Sequence, residues 1–181
     1  TRESIADVAK TLSRFADAIL FRTFAHAKVL ELAEHASVPV INGLSDLTHP
    51  CQALADLQTV QEKKGRLEGI RFAYIGDGNN VCHSLMLAAA KTGMNLIVAT
   101  PPGYEPDPEM VKLAFADAKT SGVEIDIIND PVVAVNNADV IYTDVWASMG
   151  QEKEKNKRAK IFAPYQVNQE LASLAKPDYI F

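Results

Sequence analysis

The sequence predicts an α/β fold in which parallel sheets are flanked by helices. Two observations carry that prediction. Short apolar runs such as Arg71–Ile75, Asn95–Ala99 and Asp139–Thr143 alternate with longer runs of helical periodicity. Alternation at this spacing builds βαβ units, and βαβ units pair their strands in parallel. Polar and glycine-bearing clusters also recur directly after strand-like runs, where open α/β sheets gather their ligand-binding groups.

The chain opens with a helix over residues 4–13 and a short buried strand, Ala16–Phe21. A second helix over 26–36 leads to a strand at Val38–Ile41. The longest helix runs from Pro50 to Lys64: Pro50 suits a first helical position, where no N–H is required, and Gly65 closes the other end. Strand order then restarts with strand 70–75, helix 81–92, strand 95–99, helix 107–120, strand 123–128, helix 131–137 and strand 139–143. A helix rich in Glu and Lys at 151–162, a shorter one at 166–175 and a last strand at Tyr179–Phe181 complete the reading. The restart divides the chain into the end of a first lobe (1–48), a connecting helix (49–65) and most of a second lobe (66–181).

Composition narrows the function. Of 181 residues, 48% are hydrophobic, enough for a real core. A net charge of -5 and a pI near 5.4 argue against a nucleic-acid-binding surface. No run of 18 apolar residues occurs, so no membrane span is expected. Cys51 and Cys82 fit no metal or disulfide spacing and read as reduced thiols of an intracellular, cytoplasmic protein. No metal and no cofactor is expected. The opening Thr1-Arg2-Glu3-Ser4 lacks a secretory core and reads as an interior cut.

Four clusters carry chemistry. After strand 139–143 come Asp144-Val-Trp-Ala-Ser148-Met149-Gly150, a carboxylate suited to a cationic ligand group with a hydroxyl beside it. The alternative is that Asp144 and Ser148 only cap the following helix. Arg22, at the end of the first strand, offers a planar fork to a phosphate or carbonyl oxygen, or else pairs with a nearby acid. Asp46-Leu-Thr-His49-Pro50-Cys51-Gln52 puts His49 at a helix N-cap and Gln52 one turn in, beside backbone N–H groups that favour anions. Gly76-Asp-Gly-Asn-Asn80 begins like a dinucleotide fingerprint, but Val81 stands where a third glycine belongs and no ribose-binding acid follows the next strand. Two adjacent asparagines instead aim amides at the sheet edge. Elsewhere, Glu152–Arg158 reads as a solvated face with i,i+4 pairs, His26 and His35 as exposed, His83 as core or supporting, and Tyr104 as part of a rigid loop.

Together these stretches resemble the ornithine carbamoyltransferases. The resemblance rests on Phe21-Arg22-Thr23, Val40–Leu44, His49-Pro-Cys-Gln52, Gly76–Asn80, Gly103-Tyr-Glu-Pro106, Asp144–Gly150 and Tyr165-Gln-Val-Asn168, in order along the whole chain. It implies transfer of the carbamoyl group of carbamoyl phosphate to the δ-amine of L-ornithine, giving citrulline and phosphate in arginine metabolism. It further implies that Arg22, His49 and Gln52 contact carbamoyl phosphate and do the catalytic work, and that Asn80, Asp144, Ser148 and Met149 hold ornithine. A homo-oligomer, a trimer or a multiple of trimers, is implied too, as is a mitochondrial matrix location if the source is eukaryotic. The family's Ser-x-Arg-Thr-Arg phosphate loop and His-Cys-Leu-Pro loop are absent from these residues. The expectation is therefore an excerpt, inactive if it is the entire polypeptide. Two other readings stand beside it: a catalytically silent binding scaffold and a nucleotide-binding Rossmann module.

Overall fold

The computed structural model describes residues 3–147 and 154–181. Two parallel sheets are present among them. The smaller pairs β1 (Ile19–Arg22) with β2 (Val40–Leu44), under α1 (Ile5–Leu12) and α2 (His26–His35). The larger joins β3 (Arg71–Ile75), β4 (Asn95–Ala99), β5 (Ile125–Ile128) and β6 (Val140–Thr143) in the spatial order β5-β4-β3-β6. The chain builds outward on one side of β3 and then crosses to place β6 on the other. The gap between the C-terminal ends of β3 and β6 is thus the topological switch point, where such sheets bind ligands.

Helices cover both faces of the larger sheet, so its strands are apolar on both sides. On one face Phe72, Tyr74, Leu96, Val98 and Val140 pack against α3 (Pro50–Lys64), α4 (Asn80–Thr92) and α5 (Pro108–Ser121). On the other, Ala73, Ile75, Ile97, Ala99 and Ile141 meet α6 (Pro131–Val135), a 3₁₀ turn at Ala163–Tyr165 and α8 (Gln169–Ala172). Between β6 and that turn lies α7 (Lys155–Phe162). The first lobe has a small core of its own, centred on Ala9, Ile19 and Leu32.

Local chemistry sets the boundaries. The Ser4 hydroxyl caps α1 by accepting from the Asp7 N–H, and Asp107 and Asp130 do the same for α5 and α6. Gly65 ends α3 in the left-handed conformation at φ 74°. The elements differ from the sequence reading mainly in the first lobe and at the C-terminal end. The first strand begins at Ile19 rather than Ala16, because Phe15 and Ala16 complete the turn leaving α1 by donating to Leu12 O. The second runs to Leu44 rather than ending at Ile41, since Asn42 and Leu44 pair with Phe21 and Arg22. Backbone pairing here overrides the turn propensity of Asn-Gly. The expected strand at 179–181 is a single parallel bridge, Ile180 to Val140. The charged helix is described from Lys155; residues 151–153, where it was expected to start, lie outside the described residues. No helix among the described residues is long and apolar enough to cross a membrane.

Gly78 sits where two chain segments touch. A Cβ there would lie 2.2 Å from Pro106 N and 2.4 Å from Glu105 C, while the Gly78 N–H donates to Tyr104 O at 2.9 Å. Gly78→Ala should therefore destabilise by about 1–3 kcal/mol, the usual cost of overpacking. Denaturant unfolding checks this; a variant as stable as the parent would contradict the close approach.

Candidate active site

The two loops at the switch point are joined by side chains. Asn79 caps α4 by accepting from the Val81 and Cys82 N–H groups through Oδ1, and its Nδ2 donates to Asp144 Oδ2 at 2.9 Å. Asp144 stands one residue past β6, with its other oxygen accepting from the Val145 N–H. Among the described residues it caps no helix: α7 has Glu154 at its N-cap, without a side-chain bond, and 151–153, where that helix was expected to start, lie outside the described residues. Arg22, His49, Gln52, Asn80 and Asp144 all line one cleft of about 820 Å³. Ser148 and Met149 lie outside the described residues.

One face of α4 holds the loop that carries His49. Asn80, His83 and Ser84 are spaced i, i+3, i+4, so they project side by side. Asn80 Nδ2 donates to Ser45 O (2.6 Å), His83 Nδ1 to Leu47 O (2.8 Å), and Ser84 Oγ accepts the His49 N–H (2.8 Å). Alternate residues of the loop are thus fixed by one helical turn from the other lobe. From the first lobe, Asn42 Nδ2 donates to Thr48 Oγ1 (2.9 Å) and the His26 N–H to Asp46 Oδ1 (2.9 Å). His26 is therefore half-buried and bonded, Nδ1 to Ser45 Oγ, rather than exposed as the sequence suggested.

His83 is a neutral imidazole of fixed tautomer. Nδ1 carries the proton toward Leu47 O, and Nε2 accepts the Asp107 N–H at 2.9 Å. Burial holds its pKa below the ordinary 6.5, against the raising influence of Leu47 O, Asp107 and Asp77. His49 is the N-cap of α3, as its place before Pro50 predicts. Burial also lowers its pKa, and the Arg22 charge adds to the effect. Its Nδ1 is buried with no hydrogen-bond partner among the described residues. A neutral imidazole between an arginine and a helix N-terminus suits a ligand oxygen that is or becomes negative.

Two readings change. Arg158 does not belong to a solvated face: it is 7% exposed, and its Nη1 lies 2.9 Å from Asp77 Oδ2 and 3.0 Å from Trp146 O. Its guanidinium also stacks 4.7 Å from the Tyr104 ring. Tyr104 is accordingly part of the cleft wall, not a detached loop. The expected i,i+4 pair does exist, Arg158 to Glu154 at 3.3 Å, but the partner that accounts for the buried guanidinium is Asp77. Burial raises the Asp77 pKa even with Arg158 beside it. Gly78, read as a fragment of a dinucleotide fingerprint, is covered by the Glu105–Pro106 peptide, so it serves chain packing and not close approach of a pyrophosphate.

The chain is similar in sequence and fold to known proteins. A family model described as aspartate/ornithine carbamoyltransferase, Asp/Orn binding domain, matches residues 68–181, and its carbamoyl-P binding domain counterpart matches residues 1–62. An ornithine carbamoyltransferase of Thermococcus kodakarensis is 62% identical over 179 residues, covering 99% of this chain and 57% of its own length. The solved ornithine carbamoyltransferase of Pyrococcus furiosus superposes with a TM-score of 0.95 at 57% identity, over 100% of this chain and 58% of that one. The anabolic enzyme of Campylobacter jejuni gives 0.95 at 36% identity, over 99% of this chain and 60% of its own. The chain spans about 57% of the length of the curated relatives it matches.

Arg158→Met should cost about 3–5 kcal/mol, because it strands a buried Asp77. Adding Asp77→Asn should recover part of that loss, and a double-mutant cycle by denaturant unfolding measures the coupling. For His83 the sign follows from its lowered pKa. The unfolded chain takes up a proton near pH 6.5 that the folded chain refuses, so this stability is full above pH 6.5 and falls as pH drops toward the folded value. His83→Asn keeps a donor for Leu47 O and strands the Asp107 N–H. It should lose roughly 1–3 kcal/mol at neutral pH and show a shallower decline below pH 6.5. Thermal unfolding across that range reads both effects.

Proposed function

Because this chain belongs to the aspartate/ornithine carbamoyltransferase family, we propose that the whole protein carries the carbamoyl group from carbamoyl phosphate to the δ-amine of L-ornithine, releasing citrulline and phosphate. The observation that carries the reading is one cleft lined from one side by Arg22, His49 and Gln52 and from the other by Asn80 and Asp144. The first group brings a guanidinium, a neutral imidazole and an amide, which suit a phosphate and a carbonyl. The second brings a carboxylate and an amide, which suit an α-ammonium and an α-carboxylate.

In this reading Arg22, a neutral His49 and Gln52 bind carbamoyl phosphate, and the first two donate to its oxygens. Attack by the uncharged δ-amine forms the new C–N bond and drives charge onto the carbonyl oxygen. The C–O bond to phosphate then breaks, phosphate leaves with the electron pair, and the proton given up by the attacking nitrogen goes to that phosphate. Donors already aimed at the oxygen stabilise that charge without reorganising. Asp144, oriented by Asn79, takes the α-ammonium, and Asn80 with Ser148 and Met149 completes the ornithine contacts. Holding both substrates at reacting distance supplies much of the acceleration.

Residues 1–48 then form part of the carbamoyl phosphate lobe, 49–65 the interlobe helix and 66–181 the ornithine lobe. We further propose a homotrimer, or a multiple of trimers, in the cytoplasm or, in a eukaryote, the mitochondrial matrix.

In the full-length protein, Asp144→Asn should raise the KM for ornithine about 10- to 100-fold, the cost of losing a charged hydrogen bond, with little change for carbamoyl phosphate. Arg22→Ala should show the converse and lower kcat, one oxyanion donor being worth about 3 kcal/mol. Steady-state kinetics in both substrates decides: equal effects of each variant on the two KM values would refute the assignment.

A further inference from the structure

We propose that Asp56 is a positioning residue: it fixes which end of the Gln52 amide faces the cleft, and so makes the site select a carbamoyl over an acetyl group. The assignment rests on the reading of Gln52 as a carbamoyl phosphate contact. Gln52 and Asp56 are i and i+4 on α3, one above the other on the same helix face. Gln52 Nε2 donates to Asp56 Oδ1 at 2.9 Å. Gln52 lines the cleft, whereas Asp56 lies behind it against a separate cavity of about 400 Å³, beside Tyr142, which borders both.

A carboxylate only accepts hydrogen bonds, so the NH₂ end of the amide is the end that can meet Asp56. The planar amide then turns Oε1 the other way. That oxygen is not among the buried polar atoms left without a partner, unlike Asp56 Oδ2 close by. Among the described residues no donor meets it, and with Gln52 lining the cleft it stands there as an open acceptor. Burial raises the Asp56 pKa, and the Gln52 amide and the Tyr142 hydroxyl draw it back toward the ionised form.

An open acceptor recognises N–H. Carbamoyl phosphate presents an NH₂ at the position where acetyl phosphate, nearly the same shape, carries a methyl. A site that hydrogen-bonds the polar group rejects the apolar analogue, because its own acceptor is left unpaired. If Asp56 is lost the amide turns freely, and its NH₂ end can face the substrate NH₂ as readily as Oε1 does.

The test compares the two phosphates on the full-length protein, with acetyl phosphate as a competitive inhibitor. Asp56→Leu should weaken carbamoyl phosphate about tenfold and change acetyl phosphate by no more than about twofold, since one neutral hydrogen bond is at stake. Gln52→Glu places two carboxylates face to face and should weaken carbamoyl phosphate strongly. Gln52→Glu with Asp56→Asn restores a donor behind and an acceptor in front at unchanged net charge, and should recover most of the discrimination. These near-isosteric variants decide the matter if Asp56→Leu fails to fold. Equal weakening of both phosphates by Asp56→Leu, or a pair no better than Gln52→Glu alone, would overturn the role of Asp56. A parent protein that binds neither phosphate would instead overturn the proposed function, and this assignment with it.

Discussion

The site depends on a helix turn doing the work usually left to a sheet. Residues 45–49 run between the two lobes without regular structure, and a backbone of that kind must find partners for its polar groups. It finds them on α4, where Asn80, His83 and Ser84 meet Ser45 O, Leu47 O and the His49 N–H. Each bond contributes about 1 kcal/mol net, so none is decisive alone. Their joint effect is geometric. They set where α3 begins, and hence where His49 and Gln52 stand relative to β3 and β6. Asn79, one residue earlier on the same helix, sets Asp144. One end of α4 thus places groups on both sides of the cleft.

That arrangement also explains how much of the site was legible beforehand. Asp144, His49 and Arg22 could be read from the chain because each follows from a local rule: a carboxylate just past a strand, a residue before a proline at a helix start, an arginine closing a strand. What a local rule cannot supply is the partner. Of the two asparagines, it is Asn79 that reaches Asp144, while Asn80 gives its amide to Ser45 O. Nothing in the Gly-Asp-Gly-Asn-Asn run distinguishes them until the helix phase at its first residue is known. His83 was read as core or supporting, but its partners were not legible: its two ring nitrogens tie Leu47 to Asp107.

Arg158 shows the same limit from the other direction. Its neighbours Glu154 to Lys157 are exposed, as a charged run predicts, and only the last member turns inward. The deciding partners, Asp77, Trp146 O and the Tyr104 ring, come from three strand-end loops. An ion pair this buried stabilises less than its distance suggests, since both charges are taken from water. Its value is in location: it bonds the loop after β3 to the loop after β6, and the ring of the loop after β4 lies against it. In the fold itself the alternation of elements was legible from β3 to β6, where strands are largely buried on both faces. The shifts came at the C-terminal end, where Ile180 makes a single bridge, and in β1 and β2, where a two-stranded sheet draws its limits from pairing and not from hydrophobic pattern.

The bond from the His49 N–H to Ser84 Oγ has a kinetic consequence. Most protected amides in an α/β protein report the melting of their own helix or strand. This one bonds a side chain 35 residues away in the other lobe. Its hydrogen exchange therefore tracks separation of the two lobes, independently of whether either has unfolded.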